Sequence, residues 1–370
     1  MKRLIIFILS LILVFAVAGI LVAYGSGYRI NLDEKKISGT GILTISSVPE
    51  GAEIYISGEL RGGTDGSIPN LSPGKYLVKL EKDGFNKWEK EILIEKEKVT
   101  PIEAVLFPTA PDLSALTFSG VDSPIISPNG EKIAYLITEK GKAGIWVLEL
   151  GGRQLFFSRS AQQIAKDSSN FKSSQAKIEW SSDSNILLVS AKIKSGTQVN
   201  YLLDSGRLNE TFEDISIRVK SLREEWTADL NNQEQNALNN LGGKAKDLAK
   251  GARKLYFSPD EKRVLIIKEK GGPVVYDSNP SLVPGMEPQT YNIPEAKNYI
   301  WLPTGRHVIL VKDRSISIVE EDGQNDVTIY TGEFSDEAVF PWPDSSKLVI
   351  TTTLNTSNSK QPNLYSIRLR

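Results

Sequence analysis

The sequence contains no cysteine and one histidine, His307, in 370 residues. The absence of cysteine excludes disulfide bonds, thiolate zinc sites, iron–sulfur clusters and cysteine nucleophiles. A single histidine excludes histidine-rich metal sites, and any histidine-dependent triad would have to use His307. The chain also has no excess of charge of either sign, because its formal net charge is −1. It therefore has no overall basic field that would attract nucleic acid.

Motifs for common catalytic and nucleotide-binding sites are also missing. The chain has no P-loop, no G-x-G-x-x-G motif and no G-x-S-x-G nucleophile elbow. It has no D-x-[DN]-x-[DN]-G calcium loop, so we interpret the Asp and Asn residues of its turns as turn formers. Its 45 acidic residues offer many carboxylate pairs for glycoside hydrolysis, but no spacing singles one out. The sequence predicts no catalytic, cofactor-binding or metal-binding residue, and we expect the protein not to be an enzyme.

An uncharged apolar run extends over residues 4–24, after Met1-Lys2-Arg3. At about 1.5 Å per residue, a helix over this run matches a hydrocarbon core of about 30 Å. A cleavable signal peptide is the alternative, since Ala16-Val17-Ala18 resembles a small-residue cleavage motif. Because the apolar run continues to Ala23, the sequence favours an uncleaved transmembrane helix over residues 4–24.

The charges that flank this helix nearly balance, because Arg29, Lys35 and Lys36 follow it and two basic residues precede it. The signal-like order, a short basic start before an apolar core, favours a cytoplasmic tail of residues 1–3. We therefore expect a single-pass protein of the cell membrane, with the bulk of the chain extracytoplasmic.

Short β-type runs occupy residues 40–108, after a linker that we predict over 25–39. Apolar and polar side chains alternate in several runs, so that Tyr76, Val78 and Leu80 share one face. Turns that contain Gly and Pro separate the runs. The pattern predicts a small antiparallel β-sandwich. Its predicted strands are 41–47, 52–57, 75–82, 90–95 and 102–107.

The segment SSVPEGAEIYISGE, followed by LSPGKYLVKLEKDGFNKW, resembles the PEGA domain. Pro49-Glu50-Gly51-Ala52 matches the motif that names the family, and Leu71-x-Pro73-Gly74-x-Tyr76 and Gly84-Phe85 also fit its pattern. The usual Thr-Pro is here Thr64-Asp65, so that turn departs from the family. The resemblance implies a surface-associated β-sandwich of bacterial and archaeal envelope proteins, generally without catalytic residues. We interpret Phe85 and Trp88 as core residues, with ligand stacking as the alternative.

A degenerate repeat occupies residues 112–370. Five segments each run from an apolar strand through a polar turn to a second apolar strand, which is apolar on both faces. A repeat of about 40 residues is typical of propeller blades of four strands. The turns begin at Ser127, Ser181, Ser258, Leu302 and Trp342.

Each unit adds a third strand, and four units have a candidate fourth strand. The last unit reaches the end of the chain after its third strand, while residues 115–120, before the first unit, are otherwise unpaired. We predict that 115–120 supplies the outer strand of the last blade and closes a five-bladed ring, which hides sheet edges. The candidate fourth strands are RQLFFS (153–158), LNETFE (208–213), QTYNI (289–293) and DVTIYT (326–331).

The turns Ser127-Pro128-Asn129-Gly130 and Ser258-Pro259-Asp260 resemble those of TolB-like and WD-repeat-like propellers. The other three turns are degenerate. The resemblance implies a protein-binding platform most often, and an enzyme less often. The predicted fold is therefore all-β, with an N-terminal transmembrane helix, a PEGA-like sandwich and a propeller of about five blades.

The interval from Ser181 to Ser258 is roughly 35 residues longer than a typical blade, and residues 216–252 have a helical pattern. Gly242-Gly243 separates a first helix from a short basic second one. We interpret the insertion as an αα-hairpin on the propeller rim, with its Lys and Arg side chains in solvent. The alternative is an arm that binds a partner or lipid headgroups.

Two further features have a structural and a functional interpretation. His307 begins a strand, and a structural role is preferred over membership of a triad. Trp180 and Trp301 precede turns in innermost strands, and blade packing is preferred over a sugar site.

The favoured function is a membrane-anchored binding or scaffolding protein of the cell envelope, whose propeller binds a protein or a cell-wall glycan. An envelope hydrolase acting on carbohydrate or peptide in the propeller funnel is the alternative. A sensory platform with output through a partner is a third hypothesis. The expected partners are the membrane and an envelope protein or cell-wall glycan, with no nucleic acid and no cofactor.

Overall fold

The computed structural model describes residues 2–25, 28–31, 36–151, 161–169, 171–279, 287–354 and 361–370. The chain divides into two compact units. The first comprises the N-terminal helix and the small sandwich, up to Thr109, and the second comprises the repeats from Ala110 onwards.

Helix α1 spans Lys2–Gly25. Its segment Ile5–Val22 is long and apolar enough to cross a membrane, and none of it is buried against the rest of the protein. A helix of this kind near the N-terminus is a candidate membrane anchor or signal sequence. The segment predicted as a linker contains a short antiparallel pair, β1 Tyr28–Asn31 and β2 Lys36–Gly39. Its remaining residues 26–27 and 32–35 lie outside the described ranges.

The small sandwich consists of a three-stranded sheet and a four-stranded sheet. The strands are β3 Gly41–Val48, β4 Glu53–Ile56, β5 Glu59–Gly63, β6 Gly66–Leu71, β7 Gly74–Glu81, β8 Trp88–Ile94 and β9 Val99–Val105. The strand orders are β6-β3-β9 and β5-β4-β7-β8. Strands β3 and β9 run parallel, so the prediction of a wholly antiparallel sandwich is wrong at this pair. The intervening strands supply the long crossover that a parallel pair requires.

A single apolar core joins the two sheets. Trp88 is 3% exposed, and Phe85 packs against the same cluster, which confirms that both belong to the core. Each fully buried Leu or Ile of this cluster contributes about 1.5–3 kcal/mol through burial. The buried strand residues include Leu43, Ile45, Ile54, Ile56, Val78, Leu80 and Ile94.

Hydrogen bonds to Thr64-Asp65, the segment that departs from the family pattern, stabilise the turn at Gly51. Gly51 has a φ of +75°, a left-handed conformation that glycine adopts without strain. Its N–H donates to the Thr64 carbonyl at 2.9 Å, and the Ala52 N–H donates to Thr64 Oγ1 at 3.0 Å. Asp65 Oδ1 accepts a hydrogen bond from the Ser47 N–H at 3.0 Å. Thr64-Asp65 therefore anchors the turn with side-chain acceptors.

The second unit contains five four-stranded antiparallel sheets, the blades of a β-propeller. Blades 1 to 4 are β11–β14, β15–β18, β19–β22 and β23–β26, and blade 5 is β27, β28, β29 and β10. The strands are β10 Leu113–Ala115, β11 Asp122–Ile126, β12 Lys132–Ile137, β13 Gly144–Glu149, β14 Gln162–Lys166, β15 Lys177–Trp180, β16 Ile186–Lys192, β17 Gln198–Asp204, β18 Glu213–Asp214, β19 Ala252–Phe257, β20 Arg263–Lys268, β21 Val274–Asp277, β22 Gln289–Asn292, β23 Asn298–Trp301, β24 His307–Val311, β25 Ser315–Glu320, β26 Val327–Thr331, β27 Val339–Pro341, β28 Lys347–Thr352 and β29 Asn363–Arg368.

The segment before the first repeat completes the last blade, as predicted. Strand β10 pairs with the C-terminal strand β29, with Leu113 opposite Ile367. The pairing strand lies at residues 113–115, slightly before the predicted 115–120. The Leu116 N–H continues the pairing by donating to the Leu364 carbonyl at 2.8 Å. The two ends of the repeat region therefore meet in one sheet.

The fourth strands differ in how well the sequence predicts them. Strands β22 and β26 coincide with the predicted QTYNI and DVTIYT segments. In blade 2 the fourth strand is only Glu213–Asp214, at the end of the predicted segment. In blade 1 the fourth strand is β14, while the predicted residues 153–158 lie outside the described ranges.

The second strand of every blade is buried on both faces, because adjacent blades cover it or, on one face of β20, the helices between blades 2 and 3 do. Blade 1 packs Ala134 and Leu136 against Leu187 and Val189 of blade 2. Equivalent apolar clusters join blade 3 to blade 4 and blade 5 to blade 1. The apolar runs therefore follow from strands enclosed by neighbouring sheets.

A helical insertion lies between blades 2 and 3. Helix α2 spans Val219–Leu241 and helix α3 spans Gly243–Ala249. Gly242, with a φ of +88°, ends the first helix. One 3₁₀ turn, Ser173–Gln175, precedes blade 2.

Candidate functional site

A cavity of about 790 Å³ lies among the first strands of the blades. The first strands of blades 3, 4 and 5 line it, together with the turn that follows the first strand of blade 1. This cavity, the central channel, is the candidate binding site, because concave sites of this size accept ligand groups.

The channel wall is mainly aromatic and proline-rich. Prolines from the turns of four blades line it, and proline fixes φ and offers no N–H donor. The wall is therefore stiff where these turns form it. The residues are Tyr256, Phe257, Tyr299, Trp301, Phe340, Pro128, Pro259, Pro303, Pro341 and Pro343.

A few polar groups interrupt this wall. The Tyr256 hydroxyl donates to Asn298 Oδ1 at 3.0 Å, and Lys254 Nζ lies 4.5 Å from the centre of the Tyr256 ring. Two carboxylates, Glu131 and Glu337, also line the channel and are exposed. Within the described ranges, no group of three or more His, Asp or Glu side chains is placed to hold a metal ion. The wall thus combines aromatic faces with a small number of orienting polar groups.

Trp180 and Trp301 join adjacent blades. The Trp180 Nε1–H donates to the Ile125 carbonyl at 3.3 Å, and the Trp301 Nε1–H donates to the Tyr256 carbonyl at 2.8 Å. Each acceptor lies in the first strand of the preceding blade, at the same repeat position. Both tryptophans therefore hold blades together, as the blade-packing interpretation predicts, and Trp301 also forms part of the channel wall.

The turn Asp and Asn residues act within their own turns. Asp260 Oδ1 accepts from the Ser258 hydroxyl at 2.6 Å and from the Lys262 N–H at 3.2 Å. Asp183 and Asn129 make the same pair of bonds in blades 2 and 1. These are the bonds of turn formers.

Basic side chains at one repeat position link adjacent blades, and the sequence analysis did not identify this position. The fifth residue after the turn start is Lys132 in blade 1 and Arg263 in blade 3. Lys132 Nζ donates to the Ser184 carbonyl at 3.4 Å, and Arg263 Nη1 donates to the Gly305 carbonyl at 3.2 Å. Both carbonyls lie in the turn of the following blade.

His307 occupies the same repeat position as Lys132 and Arg263, at the start of β24, and is 5% exposed. Aligning the five turns by their first residue would have revealed this series. The structural interpretation of His307 stays a prediction, and its repeat position supports it.

A buried ion cluster surrounds Arg263 where blades 3 and 4 meet. Arg263 Nε lies 2.9 Å from Asp277 Oδ2, and both side chains are almost fully buried. Glu321 Oε1 lies 3.9 Å from Arg263 and 3.8 Å from Arg306. Burial raises the pKa of Glu321 to about 7, against the opposing effect of Arg306 and Arg263. These groups lie outside the channel lining, so they stabilise the blades.

The helical insertion contacts blades 2 and 3. Arg223 of α2 makes a bidentate ion pair with Glu179 of blade 2, at 2.8 and 3.0 Å. The prediction that the Lys and Arg side chains of the insertion lie in solvent is therefore wrong for Arg223. Burial raises the pKa of Glu179, but hydrogen bonds from Arg223 and Lys177 outweigh it, so the pKa lies below its ordinary value.

Comparisons with known proteins agree with the small sandwich. Residues 40–110 match the PEGA domain. This match covers the segment that carries Pro49-Glu50-Gly51-Ala52 and confirms the resemblance. None of the curated proteins matches the chain.

Among solved structures, the chain is similar to TolB from Acinetobacter baumannii, with 13% identity over 79% of this chain and a TM-score of 0.24. It spans 59% of the length of that TolB. A putative TolB from Agrobacterium tumefaciens is 13% identical over 87% of this chain and 98% of its own, with a TM-score of 0.20. An oligogalacturonate lyase from Vibrio parahaemolyticus is 10% identical over 90% of this chain and 98% of its own, with a TM-score of 0.27. TM-scores this low carry no argument, and the propeller architecture follows from its strand order and pairing.

Proposed function

We propose that this protein is a single-pass membrane protein of the cell envelope whose propeller binds a partner in its central channel. Helix α1 acts as an uncleaved anchor in this proposal. The PEGA domain and the propeller lie outside the cytoplasm. The partner is an envelope protein or a cell-wall glycan, and the protein itself is a binding platform without enzymatic activity.

The observation that supports binding is the composition of the channel wall. Tyr256 and Phe257 are partly exposed in the wall and offer aromatic faces for protein side chains or sugar rings, and proline turns keep the wall stiff. A stiff site loses little conformational entropy when it binds a ligand. The few polar groups, such as Lys254 and Asn298, are suited to orienting the ligand.

The anchor is supported by the length and exposure of α1. Its apolar segment Ile5–Val22 has no packing partner within the described part of the protein, as expected for a helix that lies in lipid. The PEGA match supports an extracytoplasmic location through the resemblance described above.

Topology is tested by protease accessibility of the C-terminal unit in intact cells and spheroplasts. We expect external protease to digest residues 110–370 without membrane lysis, and the mature chain to retain α1. Protection of this unit until lysis would overturn the extracytoplasmic location. Release of a soluble chain without α1 would instead show a cleaved signal sequence.

Partner binding is tested by crosslinking in intact cells, followed by membrane pull-down. We expect a reproducible envelope protein or wall glycan, and a loss of at least tenfold in recovery with Tyr256→Ala. Thr328→Ala, on the exposed outer strand β26, is the control and should recover the same partner. Recovery of cytoplasmic partners alone would contradict the proposal.

A hydrolase is the second candidate, because Glu131 and Glu337 of different blades line the same cavity. Most glycoside hydrolases use two carboxylates about 5–10 Å apart on either side of the bond they cleave. If the channel is catalytic, the purified protein should cleave wall carbohydrate, and Glu131→Gln and Glu337→Gln should each lower the rate by orders of magnitude. Cleavage that both variants retain, or no cleavage by the native protein, would exclude this candidate.

A further inference from the structure

Adjacent blades meet through a regular pattern of side chains. In three blades the second residue before the turn start packs towards the next blade, as Ile125 does towards blade 2 and Phe340 does towards blade 1. Tyr256 packs in the same way against blade 4. In blade 2 this position is Glu179, a charged residue. The series is Ile125, Glu179, Tyr256, Ile300 and Phe340.

The face that blade 2 presents towards blade 3 mixes apolar and polar side chains, because Leu188, opposite Glu179 in the sheet, is fully buried there. Ser190 and Asn200 are buried on neighbouring strands, and the Ser190 hydroxyl donates to Asn200 Oδ1 at 2.6 Å. Arg223 of α2 bonds both Glu179 and the Ser190 hydroxyl, the latter at 3.3 Å. Further along the helix, the Ser182 hydroxyl donates to Asp229 Oδ2 at 3.1 Å. Arg223 and Asp229 thus form hydrogen bonds with blade 2, while no side chain of α2 within residues 219–234 is fully buried.

The opposite face, which blade 3 presents towards blade 2, is apolar. Its strands β20 and β21 are covered by the C-terminal end of α2 and by α3. Leu238, Leu241 and Ala245 of the insertion are buried there. The blade 3 residues of this cluster are Ala252, Leu255, Phe257, Val264, Ile266, Val274 and Tyr276.

We propose that the helical insertion is a wedge that replaces direct packing between blades 2 and 3, and that the ring opens where this wedge meets blade 2. The C-terminal end of α2 and α3 stay fixed to blade 3, because their contact is apolar and buried. The N-terminal part of α2, residues 219–234, detaches from blade 2, because none of its side chains is fully buried and its ion pair is partly exposed. This inference does not depend on the identity of the channel ligand.

The exposure of the side chains supports this division. Arg223 and Glu179 are 41% and 27% exposed, so water competes for their ion pair. Leu238, Leu241 and Ala245 are all less than 10% exposed. Regions with few buried apolar contacts open locally before the rest of a fold.

Amide hydrogen exchange of the full chain in detergent tests the proposal without any substitution. We expect residues 219–234 to exchange at least tenfold faster than residues 237–249, although both belong to regular helices. Equal rates across the two segments would overturn the proposal, because the insertion would then be a rigid clamp.

Arg223→Gln tests the polar contact itself. We expect it to speed exchange of residues 219–234 at least fivefold and to leave residues 237–249 and strand β20 unchanged. Arg207→Gln is the matched control, since Arg207 pairs with Asp204 at 2.9 Å in the same blade but does not contact α2. An unchanged rate in Arg223→Gln, or an equal increase throughout blade 3, would contradict the inference.

Discussion

The small sandwich and the propeller bury their apolar residues in different ways. In the sandwich, one cluster connects both sheets and includes Trp88 at its centre. In the propeller, separate clusters lie at the interfaces between blades, and a channel remains among the first strands. A single core makes the sandwich a cooperative unit, whereas interfaces of different composition allow one part of the ring to loosen alone. The difference explains why the channel and the wedge are both found in the propeller.

Removing the central aromatic residue of the sandwich is expected to have the largest effect. Trp88→Ala should cost about 3–5 kcal/mol, because it leaves a cavity in the only apolar cluster found among the described residues of that domain. Leu93→Ala, on the exposed face of the same strand, should cost less than about 0.5 kcal/mol. Segment-resolved hydrogen exchange during denaturation should show unfolding of residues 40–107 alone. Unfolding of the propeller in parallel would contradict the separation into two units.

The buried ion cluster between blades 3 and 4 provides the next comparison. Asp277→Asn should cost about 3–5 kcal/mol, because Arg263 remains buried without its nearest and fully buried charged partner. Asp204 holds the corresponding position at the end of the third strand of blade 2, but its pair with Arg207 is exposed. Asp204→Asn should therefore cost about 0–1 kcal/mol. Equal costs, measured by urea denaturation, would show that burial does not distinguish the two ion pairs.

The pH dependence of the propeller should reflect Glu321. The pKa of Glu321 is about 7 in the folded state, above its ordinary value of 4.5. At a pH between these two values, the Glu321 carboxyl is protonated in the folded state and ionised in the unfolded state. The contribution of Glu321 to the free energy of unfolding is therefore fully present below the unfolded pKa. It falls by roughly 1–3 kcal/mol as the pH rises from about 4.5 to 7. Denaturation at several pH values should show this slope, and Glu321→Gln should remove it. A slope that persists in Glu321→Gln would assign it to other groups.

The tryptophans between blades should give a smaller effect. Trp301→Phe removes the indole N–H that bonds the Tyr256 carbonyl and should cost about 1–2 kcal/mol. Trp146→Phe is the control of matched size, because its N–H bonds Lys142 within blade 1. Exchange of the β19 and β23 amides should increase only in Trp301→Phe. An increase of the same size in the control would show that loss of ring volume is the cause.

Much of this architecture could be predicted because the repeat signals are local. Apolar second strands separated from the first by polar turns located the blades, and the unpaired segment before the first repeat predicted the closure. Strand β5 was missed because all five of its residues are exposed, so no alternation marks it. The parallel β3–β9 pair was missed because strand direction depends on the path of the whole chain.

The wedge and the channel could be predicted only in part. The spacing predicts the helical insertion, but not that it packs between two blades. The sign of this packing is Glu179, which stands out as the one charged residue at its repeat position once the five turns are aligned. The channel combines residues from four blades, and sequence spacing does not show which of them share a wall. Arg263 and Glu321 come together only through the contact of blades 3 and 4.

Site-specific photocrosslinking from the channel tests the central claim most directly. A photoreactive residue at Tyr256, introduced into the full chain in intact cells, lies in the channel wall, and one at Thr328 lies on the exposed outer strand of blade 4. We expect the Tyr256 position to form a discrete adduct with an envelope protein or wall glycan, and the Thr328 position to form none. No adduct at Tyr256, or the same adduct at both positions, would contradict binding in the central channel.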